Sequence, residues 1–135
     1  MMFGDAAEKG DVQFVSIMVG DVPKSSLRKY AEILSTIVEK PDTLVAVSSD
    51  FCHHGSNTFG FAPKIPGLKQ FEVVEKLDRK GMDLIEAGSE EGFRAYLDES
   101  GNTICGQNPI RLMLEILTVL KEKGLKFETK FVKYA

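Results

Sequence analysis

Three stretches of the chain have the hydrophobic pattern of β-strands. Residues 12–19 and 43–48 are mostly apolar and β-branched or bulky, which is typical of strands covered on both faces. Residues 125–135 alternate apolar and charged side chains, the pattern of a strand with one exposed face. We therefore predict strands at these three places.

Helices are predicted where apolar residues recur at three- and four-residue spacing. The first follows Pro23 and ends near Lys40. Two short helical pieces are predicted on either side of Gly81, because glycine weakens a helix, and Ser89 is a suitable N-cap for a third piece. The most apolar helix is predicted from Pro109 to about Lys123, and a helix of this kind is expected to be buried.

The order of these elements predicts an α/β fold. A single helix connects the strand at 12–19 to the strand at 43–48, which indicates a right-handed βαβ unit with parallel strands. The 135 residues fit one domain. We expect residues 1–11 to be a flexible N-terminus and residues 12–135 to form an α/β domain with a mostly parallel central sheet flanked by helices.

Composition and charge exclude several classes of function. The net charge of -3 provides no positive surface for nucleic acid or an anionic membrane. Cys52 and Cys105 are too far apart to form a disulfide framework, no apolar run approaches the ~20 residues that cross a bilayer, and the N-terminal residues lack the core of a signal peptide. We expect a cytoplasmic protein, with the nucleus as a second location, and neither a nucleic-acid partner nor membrane insertion.

The segment Val45–Gly55 joins a predicted strand to a cluster of reactive side chains. Ligands collect at the carboxyl ends of strands in α/β sheets, and Asp50, Cys52, His53 and His54 follow such an end here. A helical turn would place Asp50 and His53 on one side, where the carboxylate can orient the imidazole or both can face one ligand. The alternative is that Asp50 caps a turn and His53 makes a local hydrogen bond.

The two cysteines have different surroundings in the sequence. Cys105 precedes the most apolar helix, whose N-terminal amide dipoles favour the thiolate that binds a metal or attacks an electrophile; the alternative is a small buried hydrophobe. Cys52 is expected to have a packing role. A Cys105 nucleophile with His53 as base is chemically possible, but nothing local supports it. Zinc-finger spacing, a nucleotide-binding glycine loop and a G-x-S-x-G motif are all absent from the sequence.

Three motifs in order resemble the Memo family, the mediators of receptor-kinase-driven cell motility. They are SSDFCHHG at 48–55, LDRKGMDLIE at 77–86 and NTICGQNPI at 102–110, and the likeness continues to the final FVKYA. The resemblance implies a fold similar to that of class III extradiol dioxygenases. It also implies a ligand pocket at Asp50, His53 and Cys105, with His53 and Cys105 as metal ligands and iron or copper as the metal.

Part of the family pattern is absent from this sequence. The histidine motifs of the PHAGY and PSHH kinds, which lie in the N-terminal half of family members, do not occur, and His54 replaces a common tryptophan. A site that needs donors from both halves would therefore be incomplete. We expect residues 12–135 to be a partial Memo-like domain that corresponds to the family's C-terminal half.

Two functions follow from this resemblance. The first is a signalling or adaptor protein for cell motility and for cytoskeletal or redox control, with no assigned catalytic residue and no turnover. Its expected partners are phosphotyrosine receptor complexes or cytoskeletal proteins. The alternative is a non-haem iron extradiol-type dioxygenase completed by a missing segment or a second chain. A third interpretation is a non-functional remnant that folds poorly. Self-association is expected in that case, because half a sheet leaves an edge strand and apolar helix faces uncovered.

Overall fold

The computed structural model describes residues 12–55 and 59–134. The expected flexibility of residues 1–11 lies outside the described residues. The described part of the chain contains four helices, which are α1 (Lys24–Val38), α2 (Gln70–Glu86), α3 (Glu90–Ser100) and α4 (Gln107–Glu122). None of these helices combines the length and the apolar composition that a membrane span requires.

The helices predicted from hydrophobic spacing are confirmed, with one correction. Ser89 caps α3 as predicted, because its Oγ accepts a hydrogen bond from the Gly92 N–H at 3.0 Å. The correction concerns α2, which runs through Gly81 without a break. A Cβ at Gly81 would lie 3.0 Å from Cε1 of Tyr96, so this glycine allows α3 to pack closely on α2.

Helix α4 lies between the two hydrophobic clusters of the fold, and its predicted burial is confirmed. The first cluster joins α4 to α1 and consists of Leu27, Ala31, Leu112, Ile116, Val119 and Leu120. The second joins α4 to α3 and to the loop before α4, and consists of Phe93, Tyr96, Leu97, Ile104 and Leu114. Because Ile104 of the preceding loop also belongs to the second cluster, that loop is anchored to the core at this residue.

The predicted parallel sheet is not seen in the described residues. Residues 12–19, 43–48 and 125–134 are not helical and form no regular strands. The β-pairing found among residues 12–55 and 59–134 is one isolated bridge between Gly55 and Phe61. The first two segments were predicted to be buried, and this was wrong: they are largely exposed, and Met18 is 99% exposed. A strand needs neighbours for its backbone hydrogen bonds, and the described residues place none beside these segments.

Candidate metal site

Two irregular segments lie side by side and carry the candidate ligands. We call them the Asp50 segment (residues 49–53) and the Cys105 segment (residues 103–106). The Cys105 N–H donates to the Asp50 carbonyl oxygen at 3.3 Å, and the Asp50 N–H donates to the Cys105 Sγ at 3.1 Å. Farther along, the His53 N–H donates to the Thr103 carbonyl oxygen at 3.3 Å, and the Thr103 hydroxyl donates to the His53 carbonyl oxygen at 2.7 Å. These four bonds bring together residues that are distant in sequence.

Asp50, His53 and Cys105 converge at this junction. One potential ligand atom from each residue lies within 4.8 Å of the other two. The helical turn that was expected to bring Asp50 and His53 together does not form, because residues 51–54 are not helical. The convergence instead depends on the pairing of the two segments. Carboxylate oxygen, imidazole nitrogen and cysteine sulfur are all established ligands of transition metals.

One nitrogen of the His53 ring is suited to act as a metal ligand. Its Nε2 is buried and has no hydrogen-bond partner among the described residues. The ring packs edge-on against Phe59, with 5.0 Å between the centroids. A buried polar atom without a partner is energetically costly, and coordination of a metal would satisfy it. The neighbouring His54 is exposed and lies outside the cluster.

The two cysteines differ in exposure and in chemistry. Cys105 is exposed, so the alternative interpretation of this residue as a small buried hydrophobe is wrong. Cys52 is half-buried, in agreement with the packing role expected for it. Burial, and next the charge of Asp78, raise the pKa of the Cys52 thiol. A raised pKa disfavours the thiolate that binds metals, and Cys105 is the cysteine that lies in the ligand cluster.

Sequence reasoning missed Asp78, which is hydrogen-bonded to the Asp50 segment and is only 4% exposed. Its carboxylate accepts hydrogen bonds from the Cys52 N–H at 3.3 Å, the Asn102 Nδ2 at 3.1 Å and the Tyr134 hydroxyl at 3.1 Å. A signal was present in the sequence, because Asp78 precedes the buried Met82 by four residues and so lies on the apolar face of α2. An acid at such a position needs buried partners.

Gly106 was also missed. Its N–H donates to the Ser49 Oγ at 3.1 Å, which adds another bond between the two segments. A Cβ at Gly106 would lie 2.7 Å from the Ser48 carbonyl oxygen and closer still to the Ser49 side chain. The close approach of the two segments therefore requires glycine at this position of the NTICG motif.

Comparison with known proteins identifies the family. The chain matches the family model described as Memo-like protein over residues 2–135. It is 31% identical to Protein MEMO1 of Homo sapiens over 130 residues, which cover 96% of this chain and 43% of that protein. Protein MEMO1 of Danio rerio is 32% identical over 128 residues, which cover 94% of this chain and 43% of that protein. Protein memo-1 homolog of Caenorhabditis elegans is 38% identical over 103 residues, which cover 75% of this chain and 29% of that protein. The chain thus spans less than half the length of these curated relatives. Because the family model matches nearly every residue, the chain belongs to the Memo family.

Proposed function

We propose that this chain is a Memo-family signalling or adaptor protein whose Asp50, His53 and Cys105 bind iron or copper. The observation that carries the metal site is the convergence of three chemically different ligand atoms within 4.8 Å. The buried Nε2 of His53, which has no partner among the described residues, supports it further. A bound cation would also balance the negative charges of a carboxylate and a thiolate.

The types of ligand favour a soft or borderline metal over calcium or magnesium. Thiolate and imidazole suit iron, copper and zinc, whereas hard cations prefer an all-oxygen shell. Three protein ligands leave at least one coordination position for water or for a donor from elsewhere. We therefore propose a binding site that is open and weaker than a closed four-ligand site.

A dioxygenase-like fold contains a central sheet, and we propose that this sheet forms in the longer family domain. Residues 12–19, 43–48 and 125–134 have the alternation or the apolar runs of strands but lack strand neighbours among the described residues. We propose that they pair into a mostly parallel sheet when the remainder of a full-length family domain is present. Their exposed apolar side chains support this, because sheet formation would cover them.

In cells, the proposed role is cytoplasmic and concerns cell motility and cytoskeletal or redox control. Membership of the Memo family supports this role, and phosphotyrosine receptor complexes or cytoskeletal proteins are the proposed partners. A pull-down experiment measures how much of the chain is retained on tyrosine-phosphorylated receptor-tail peptides and on the same peptides without phosphate. Retention on the phosphorylated peptide alone is expected, and equal retention on both would contradict the proposed partner class.

Anaerobic calorimetric titration with Fe²⁺ and, separately, with Cu⁺ tests the metal site. The wild-type chain is expected to bind one ion per chain. His53→Ala should weaken binding by about 10-fold or more, since even residues that only support a ligand contribute that much. His54→Ala is the matched control and should bind as wild type, because His54 is exposed outside the cluster. Equal affinities for the two histidine variants would exclude His53 as a ligand.

A further inference from the structure

Asp78 is a buried carboxylate of α2 that contacts the Asp50 segment and Asn102, the residue directly before the Cys105 segment. Its Oδ1 accepts the Cys52 N–H, which belongs to the Asp50 segment, at 3.3 Å. The same oxygen accepts Nδ2 of Asn102, which directly precedes the Cys105 segment, at 3.1 Å. One oxygen atom therefore links the backbone of the Asp50 segment to the side chain of the residue that precedes the Cys105 segment.

The helices hold this carboxylate and its partners in place. Asp78 lies in the middle of α2, and its Oδ2 accepts the Tyr134 hydroxyl at 3.1 Å. The Asn102 Nδ2 also donates to the Tyr96 hydroxyl at 2.6 Å, and that hydroxyl donates to the Leu77 carbonyl oxygen at 2.8 Å. Tyr96 is 2% exposed and belongs to the core. The network thus connects the two irregular segments to the rigid packing of α2 against α3.

We propose that Asp78 is the positioning residue of the Asp50, His53 and Cys105 cluster. It acts through the Cys52 amide and the Asn102 side chain. A metal site requires its ligands to be held together before the ion arrives, and the groups that hydrogen-bond around the ligands supply that order. The effect on metal affinity rests on the metal-binding function proposed above; the effect on the geometry of the segments does not.

The test compares variants in two measurements that can fail separately. Asp78→Ala removes the link between the segments, and Asp78→Asn keeps an oxygen that can accept both hydrogen bonds. Leu27→Ala is the control, because Leu27 lies in the α1–α4 cluster and its loss lowers global stability without touching the network. Amide hydrogen exchange by NMR monitors the His53 and Cys105 N–H groups, which pair the two segments. Titration with Co²⁺ alone gives the metal affinity.

We expect Asp78→Ala to accelerate exchange at the His53 and Cys105 amides beyond the acceleration in Leu27→Ala at matched stability. Its Co²⁺ affinity should fall by about 10- to 100-fold, the usual effect of losing a supporting group, and Asp78→Asn should recover most of both effects. If Asp78→Ala does not fold, Asn102→Ala cuts the link on the side of the Cys105 segment and should change both measurements in the same direction.

Each result supports or contradicts the inference. If Asp78→Ala or Asn102→Ala matches Leu27→Ala in amide exchange, Asp78 has no positioning role. If amide exchange changes in a variant but its Co²⁺ affinity does not, the proposed effect of Asp78 on metal affinity is wrong. If wild-type chain binds no Co²⁺ while amide exchange still responds to Asp78→Ala, the proposed binding of a divalent metal fails and the positioning of the two segments by Asp78 stands.

Discussion

Gly106 lies where the Cys105 segment packs closely against Ser48 and Ser49. A side chain there would meet the Ser48 carbonyl oxygen, which is a backbone atom and cannot rotate away. The neighbouring Cys105 N–H bonds to the Asp50 carbonyl oxygen, so any displacement at Gly106 is transmitted to both candidate ligands. The glycine is therefore a structural requirement of the site.

Gly106→Ala is expected to lower the free energy of unfolding by about 1–3 kcal/mol, the usual range for overpacking. Urea denaturation measures this. Gly20→Ala is the control, because a Cβ at Gly20 would meet no atom within 4 Å, and its free energy of unfolding should be close to that of wild type. A Gly106→Ala protein as stable as Gly20→Ala would show that the two segments do not approach as described.

Tyr134 makes the stability of the folded chain depend on pH in the alkaline range. Burial, followed by the charge of Asp78, raises the pKa of Tyr134 from 10.0 to about 12. Between these two values the unfolded chain has lost the phenol proton while the folded chain keeps it. The folded state then binds more protons, so stability falls as pH rises through this window.

The free energy of unfolding, measured by urea denaturation at several pH values, should therefore decrease between pH 10 and about 12. Tyr134→Phe removes one titrating group and should make this decrease less steep. Some slope will remain, because burial also raises the pKa of Tyr96. The explanation is wrong if Tyr134→Phe and wild type lose stability equally over this range.

At the scale of elements, α4 organises the fold. Its apolar residues contact α1 on one side and α3 on the other, and the Cys105 segment leads directly into it. Arg28 of α1 adds hydrogen bonds to Glu115 at 3.4 Å and to Glu122 at 3.0 Å along α4. The Arg28–Glu122 pair is exposed and the Arg28–Glu115 pair is partly buried, and both contribute little compared with the apolar contacts. The stability of α4 should therefore depend on its buried leucines.

Leu120→Ala is expected to cost about 2–5 kcal/mol, because Leu120 is fully buried between α1 and α4 and the truncation leaves a cavity. Ile33→Ala removes an apolar side chain from the exposed face of α1, where Ile33 is 55% exposed, and should change stability by about 0.5 kcal/mol or less. Thermal and urea unfolding of both variants measure the difference. Similar losses in both would contradict the assignment of α4 as the buried helix.

The helices were predictable from sequence because their signals are local. Hydrophobic spacing located α1 and α4, and Ser89 marked the start of α3. Continuity at Gly81 was not predictable, because it depends on a tyrosine ring from another helix. The strand predictions were wrong for a similar reason. The local hydrophobic pattern of strands is present, but strand formation depends on neighbouring strands that this pattern does not specify.

The ligand cluster was predictable in part. Motif resemblance selected Asp50, His53 and Cys105, and the structure brings these three together. The local argument from helical spacing gave the wrong reason for it, because the convergence comes from pairing with a distant segment. Asp78 was overlooked because its role depends on three hydrogen bonds from elements separated in sequence.

At the scale of the whole molecule, apolar side chains are exposed along two extended segments. Those of at least 39% exposure are Phe14, Val15, Ile17, Met18, Leu44, Val45 and Val47. Contiguous exposed apolar surface and unpaired backbone groups favour association with another chain. The isolated chain should therefore associate with itself.

Sedimentation velocity at micromolar to millimolar concentrations should show a sedimentation coefficient that rises with concentration. Replacing exposed Met18 and Leu44 together with lysine should reduce the association, because charge on an edge segment opposes pairing. A wild-type chain that stays monomeric across the same range would show that these segments are compatible with solvent.

The central claim is that Cys105, with Asp50 and His53, binds a transition metal. Co²⁺ bound to a thiolate has a sulfur-to-cobalt charge-transfer band in its ultraviolet absorption, so the spectrum reports on the sulfur ligand directly. We predict that this band saturates at one Co²⁺ per chain in wild type, persists in Cys52→Ser and is lost in Cys105→Ser. A wild-type chain without the band, or a Cys105→Ser chain that retains it, would contradict the account.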